Sequence, residues 1–263
     1  MKTLKLILLI LFSIYSLDAY TATYALVIGI NDYEYQTPLG YAREDAVLFY
    51  DILKESIDQD KLIVLLDKKA TKANVSKYLK RLSQKLKPSD QLIFYFAGHG
   101  TERGFLCYDG YSLDQMMYYT EFKSELQKCK ANNKFIFIDA CKSGNLFLNS
   151  DSDYQKTKTH LILNKLGLEG KDEVGNYAVF MSCDAGESSS ELKYFKHGIF
   201  TYYLSRGILG LADEDNDKRI TIKELYYYIR NNTYIISKKL GNNTQCPILI
   251  GNFDQNLIFA NTK

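Results

Sequence analysis

Two stretches decide the fold of this chain: Phe94-Tyr-Phe-Ala-Gly-His-Gly100 and Phe135-Ile-Phe-Ile-Asp-Ala-Cys-Lys-Ser-Gly144. Each is a run of strand-forming apolar and aromatic residues that stops at a polar residue close to glycine. Each therefore predicts a buried parallel strand that presents one reactive side chain at its C-terminal end. The first strand delivers His99 and the second Cys141. In open α/β sheets that edge is where ligands bind, and a thiol beside an imidazole makes a nucleophile with its base.

Working outward, strands and helices alternate. Tyr24–Ile30 and Lys61–Leu66 read as strands, Ala42–Ile57 and Thr71–Leu86 as helices, the second of them ended by Pro88. After the His99 strand come a Gly- and Tyr-rich excursion to about Tyr111, a helix near Tyr118–Lys130 and the Cys141 strand. Beyond a polar stretch from about Asn149 to Asn176 follow a strand at Tyr177–Ser182, helices at Ile199–Leu209 and Thr221–Lys239, and a last strand near Ile248–Ile250. Such alternation predicts an α/β protein with one mostly parallel sheet and helices on both faces.

Composition agrees with a folded enzyme. The chain has 263 residues, 46% hydrophobic and 24% charged, enough to bury one sizeable core. A formal net charge of +2 gives no electrostatic reason to expect nucleic acid as a partner.

At the N-terminus, Lys2 and Lys5 precede an uncharged run from Leu6 to Leu17, followed by Asp18 and Ala19. This has the basic, apolar and cleavage regions of a secretory signal peptide, and the run is short of the roughly 20 residues that span a bilayer. Residues 1–19 are thus expected to be removed, leaving a domain over 20–263 that is exported to the periplasm or outside the cell and has no membrane anchor. Export makes the cysteines worth counting. Besides Cys141 there are Cys107, Cys129, Cys183 and Cys246, irregularly spaced and without a Cys-x-x-Cys pair, so they read as buried free thiols.

At this point a family resemblance becomes specific. Val27-Ile-Gly-Ile-Asn31, Asp45-Ala46, Ala97-Gly-His-Gly100, Asp139-Ala-Cys-Lys-Ser-Gly144, Ser182 with Gly186-Glu187, and Gly198-Ile-Phe-Thr-Tyr-Tyr203 occur in the order found in caspase-like cysteine peptidases. The chain resembles the bacterial and metacaspase branch of that family more than the animal caspases. The resemblance implies a three-layer α/β/α fold around a mostly parallel six-stranded sheet, and peptide-bond hydrolysis through an acyl-enzyme.

Cys141 is then the nucleophile. An unperturbed thiol has a pKa near 8.5 and needs a base or a positive neighbour to react fast at neutral pH. His99 is the residue to activate it and to protonate the leaving amine. The backbone N–H groups of Gly100 and Cys141 are the natural oxyanion donors, the role these positions have in the resembled family. No third orienting residue is evident, and His160 and His197 are read as lying outside the chemistry.

Specificity turns on the charge of the pocket that takes the residue before the cut. Animal caspases place arginines there; the corresponding positions are about Leu39 and Ser190, neither basic. Metacaspases line the pocket with acids, and the matching positions are Asp45 and Asp139. A carboxylate pair there selects Arg or Lys. Arg43, close to Asp45 in sequence, is positioned to neutralise part of such a pocket.

One further constellation is the segment Asp213-Glu-Asp-Asn-Asp-Lys-Arg-Ile-Thr-Ile-Lys-Glu224. Asp213, Asp215, Asp217, Arg219 (through its carbonyl), Thr221 and Glu224 occupy the ligand positions of an EF-hand calcium loop. Lys218 stands where that loop demands glycine. The competing account is a capping box from Thr221 to Glu224 that opens the next helix.

The sequence thus predicts an exported caspase-like cysteine endopeptidase that cuts protein or peptide substrates after Arg or Lys. It requires no cofactor, and calcium is the one ion given a place. The rival is a silent caspase fold acting as a binding module. The lysine-rich stretch from Asn149 to Asn176 is long for a connection in a compact domain and reads as a cleavable linker. Oligomeric state is left open.

Overall fold

The computed structural model describes residues 22–101, 103–111, 115–140, 176–182, 191–192, 196–240 and 244–262. The expected signal peptide, Cys141, Ser190 and the linker up to residue 175 lie outside these residues. Six strands form the main sheet: β1 (Thr23–Gly29), β2 (Leu62–Leu66), β3 (Gln91–Ala97), β7 (Asn133–Asp139), β8 (Asn176–Met181) and β12 (Ile248–Asn252). Their order is β12-β8-β7-β3-β1-β2. All pairs are parallel except β12 with β8, so the sheet is mostly parallel, as the alternation predicts.

The central strands are buried on both faces, which is why their sequences are almost wholly apolar. Successive residues of β1 feed different cores: Tyr24, Leu26 and Ile28 pack with α2 (Lys72–Lys85) and α3 (Tyr119–Lys128). Ala25 and Val27 pack with α1 (Ala42–Leu53), α4 (Ile199–Arg206) and α5 (Ile222–Lys239). This two-sided burial makes the three-layer α/β/α arrangement. Thr71 caps α2 by accepting from the Asn74 N–H, and Thr221 and Glu224 form a reciprocal capping box on α5.

Several short elements decorate this frame. The excursion after β3 folds into a three-stranded antiparallel ribbon of β4 (Gly100–Thr101), β5 (Gly104–Leu106) and β6 (Met116–Tyr118). Segments β9 (Glu191–Leu192) and β10 (His197–Gly198) pair ahead of α4, and β11 (Arg219–Thr221) pairs with β13 (Ile258–Asn261). Helix α4 passes at Gly207 into a π-helical turn to Leu211, where Gly210 takes φ 117°.

Candidate active site

The site grows from the C-terminal ends of β3 and β7. These strands are in register, with Ala97 opposite Asp139, and the Gly98 N–H donates to the Asp139 carbonyl at 3.2 Å. A side chain at Gly98 would run into the Tyr33 hydroxyl, so glycine lets the chain turn here against its neighbour. His99 follows two residues after Ala97. Cys141 comes two residues after Asp139 in the sequence, one past the last described residue of that segment, Ala140.

The imidazole of His99 is held by its surroundings. Its Nε2 lies 2.8 Å from the Thr37 carbonyl oxygen. A carbonyl only accepts, so Nε2 carries the hydrogen and Nδ1 is left with the lone pair that a base needs. The ring packs on Tyr33 at 4.8 Å between centroids, and the His99 backbone N–H donates to the Tyr33 hydroxyl at 2.7 Å. Burial holds the Tyr33 phenol well above its ordinary pKa, so it remains protonated. The orienting partner that the sequence did not reveal is thus the Thr37 carbonyl, with Tyr33 behind it. A main-chain oxygen carries no residue signature. Gly100 opens β4, beside the imidazole.

Asp45 and Asp139, 94 positions apart, are brought together around Gly198. A methyl group on Gly198 would sit 3.0 Å from Asp45 Oδ2 and 3.2 Å from Asp139 Oδ2. Both acids are buried, at 3% and 8% exposure, so they are not the solvated helix-start acid or strand cap that either would be alone. Asp45 accepts from His197 Nδ1 at 2.8 Å and from the Gly198 N–H at 3.1 Å. Burial pushes its carboxyl up to about 7; the His197 hydrogen bond opposes this, the Asp139 charge adds to it, and the Gly198 N–H opposes it. Asp139 accepts at Oδ2 from the Thr201 hydroxyl at 2.6 Å.

Two residues close to this acid pair differ from the sequence reading. His197, read as outside the chemistry, is hydrogen-bonded to Asp45. Arg43 points elsewhere: its Nε pairs with Asp67 Oδ2 at 3.1 Å and its guanidinium reaches Glu44 at 3.4 Å. The reason is local. Asn31 accepts the Arg43 N–H and donates to Glu44, tying the end of β1 to the start of α1, while Asp45 turns toward the sheet. Leu39 packs against the hydrophobic core.

In the acidic loop, one oxygen from each of Asp213, Asp215 and Glu224 falls within 4.8 Å of the others. Lys218 adopts φ 66°, the left-handed backbone that the glycine position of a calcium loop requires. Yet Glu224 Oε2 accepts from the Thr221 N–H and hydroxyl, and its Oε1 from the Glu214 N–H. Asp217 turns to Arg219, 3.0 Å from its Nε, and Arg219 and Thr221 pair in β11 with the C-terminal strand. The capping box is formed, and it uses the Glu224 oxygen that a bidentate ligand would offer.

Cys107 and Cys129 are buried, and burial pushes the Cys107 thiol up to about 12, which makes it inert. Cys246 is half-buried, and Cys183 lies outside the described residues.

Comparison with known proteins agrees with this architecture. The profile of the peptidase C14 caspase domain matches residues 22–257. No curated protein matches the chain. A crystal structure of a protein from Geobacter sulfurreducens is similar with a TM-score of 0.63 at 15% identity, covering 92% of this chain and 100% of that one. At that identity the likeness concerns the fold.

Proposed function

The chain belongs to the caspase-domain family of peptidases, and we propose that it is an exported cysteine endopeptidase that cuts protein or peptide substrates after Arg or Lys. The observation that carries the specificity is the pairing of Asp45 and Asp139 around Gly198. Asp139 at the end of β7, with Asp45 of the first turn of α1 beside it, gives a basic side chain a counter-charge, and an arginine can meet the two acids in bidentate fashion. Export rests on the sequence from Lys2 to Ala19.

In this reading His99 Nδ1 takes the proton of the Cys141 thiol, and the sulfur attacks the carbonyl carbon of the scissile bond. The negative charge that forms on the carbonyl oxygen meets the N–H groups of Gly100 and Cys141. Collapse of the tetrahedral species breaks the C–N bond, and the Nδ1 proton passes to the departing amine. Water then attacks the thioester carbon, giving a proton to His99 Nδ1, and as the C–S bond breaks that proton passes to the departing sulfur, so Cys141 leaves as the thiol and His99 is again neutral. Throughout, the Thr37 carbonyl keeps Nε2 protonated and the ring in place.

The test is mass-spectrometric mapping of cleavage sites in a peptide library by the wild-type protein and Cys141→Ala. Cuts after Arg and Lys, present only with wild type, are expected. Cuts after Asp would overturn the acidic pocket. Failure of Cys141 to react with an arginyl chloromethyl ketone faster than the other cysteines would instead favour a silent fold that binds without turnover.

A further inference from the structure

Asp45 and Asp139 are held by different kinds of donor. Asp45 is bound by an imidazole and a backbone N–H. Asp139 stands at the end of a chain of hydroxyls: Tyr95 to Thr201 at 2.6 Å, then Thr201 to Asp139 Oδ2 at 2.6 Å. The direction of this chain is fixed. An ionised carboxylate can only accept, so the Thr201 hydrogen points to Asp139 and the Thr201 oxygen accepts from Tyr95. The Thr201–Asp139 spacing is that of a charge-assisted O–H bond, shorter than a neutral one.

The three residues come from three elements, β3, α4 and β7, and Tyr95 and Thr201 are fully shielded from solvent. Valine would fill the space of Thr201 with the same shape. A buried hydroxyl is costly unless it is bonded, so the hydroxyl at 201 needs a reason beyond packing, and Asp139 supplies one. Burial also holds the Tyr95 phenol well above its ordinary pKa, so Tyr95 stays a donor.

We propose that Thr201, backed by Tyr95, is a positioning residue that aims the Asp139 carboxylate at the basic side chain of the substrate. The inference rests on the Arg- and Lys-specific reading above. Thr201 sits in the first turn of α4, three residues past the glycine around which the acids meet, so the start of this helix carries both the gap and the brace. Among the described residues, Asp45, Tyr95 and, through Asp45, His197 are titratable groups that face Asp139.

The experiment compares kcat and KM of wild type, Thr201→Val, Thr201→Ser, Tyr95→Phe and Asp139→Asn on a peptide with Arg before the cut, alongside inhibition by agmatine, a cation with no scissile bond. Thr201→Val should raise KM and the agmatine Ki roughly tenfold with kcat within about twofold, the loss expected for one charge-assisted hydrogen bond. Thr201→Ser should restore both, and Tyr95→Phe should fall between. In Thr201→Val the acid-side rise of KM should also begin at higher pH, because a donor that favours the ionised carboxylate is gone. A role in packing alone would not move that profile or be rescued by serine. If Asp139→Asn loses Arg selectivity while folded Thr201→Val keeps the wild-type KM, the brace is wrong and the pocket stands. If Asp139→Asn keeps Arg selectivity, or wild type neither cleaves the peptide nor binds agmatine, the pocket reading fails and takes the brace with it.

Discussion

Asp45 and His197, 152 residues apart in the chain, are joined by a part-buried hydrogen bond of 2.8 Å. The contact exists because the β10 segment delivers His197 and Gly198 together to the first turn of α1, so one aspartate receives both a ring nitrogen and a backbone N–H.

The carboxyl of Asp45 gives the fold a pH dependence of definite sign. It lies at about 7 in the folded protein against 3.8 as the ordinary value, mainly through burial. The folded state therefore holds a proton that the unfolded state has released between these values, and stability contributed by this group falls as pH rises from about 4 to about 7. The slope for one group is at most about 1.4 kcal/mol per pH unit. Asp45→Asn, whose amide oxygen still accepts from His197 and Gly198, should flatten the decline. Melting temperatures of the two proteins between pH 4 and 8 check this; parallel curves would contradict it.

Tyr33 offers a test of how His99 is held. Tyr33→Phe deletes the acceptor of the His99 backbone N–H while leaving a ring for the imidazole to pack on. A hydrogen bond of this kind is worth about 1 kcal/mol, so kcat should fall about fivefold while KM for the Arg peptide stays near wild type. His99→Ala should abolish turnover without unfolding the protein, since the imidazole is half-exposed at the sheet edge. Steady-state kinetics with a melting curve for each variant separates lost chemistry from lost structure.

What could be read from the sequence followed burial. The central sheet strands are legible because both faces are covered and their sequences are almost continuously apolar. The β4–β6 ribbon is not, since its two- and three-residue strands are too short to show a period and its turns are rich in glycine and tyrosine. The apolar spacing extends the Ala42 helix to Ile57, but the helix stops at Leu53; Ile57 is buried through a turn in which its N–H reaches the Leu53 carbonyl, which mimics a further helical repeat. At the site, the meeting of Asp45 with Asp139 is legible only through the family resemblance. The His197 and Thr201 contacts depend on side chains distant in sequence, and nothing local announces them.

Gly198 should tolerate no side chain. Gly198→Ala places a methyl group 3.0 and 3.2 Å from two carboxylate oxygens, tighter than ordinary contact, and forces the acids apart. Overpacking of this sort costs about 1–3 kcal/mol. The variant should melt lower than wild type and show a raised KM for Arg peptides. Unchanged values for both would mean that the gap between the acids is wider than the backbone implies.

The last prediction concerns the acidic loop, where one segment serves two readings. Thr221→Ala removes the hydroxyl that accepts the Glu224 N–H and should destabilise the protein by about 1 kcal/mol as the loss of a helix cap. Glu224→Gln retains an acceptor for the Thr221 N–H but loses the charge near the start of α5, so it should cost less. Calcium distinguishes the two roles of this carboxylate. Hydrogen bonds within the loop already occupy the oxygens of Asp213, Asp217 and Glu224, and Lys218 in a left-handed conformation carries a strain of roughly 1–2 kcal/mol. An ion would have to displace the Asp217–Arg219 contact and draw Glu224 away from its cap. The melting temperature is therefore expected to be insensitive to calcium at millimolar concentration, while Thr221→Ala lowers it. A calcium-dependent rise in wild type that disappears in Glu224→Gln would reverse this and make Glu224 a ligand first and a cap second.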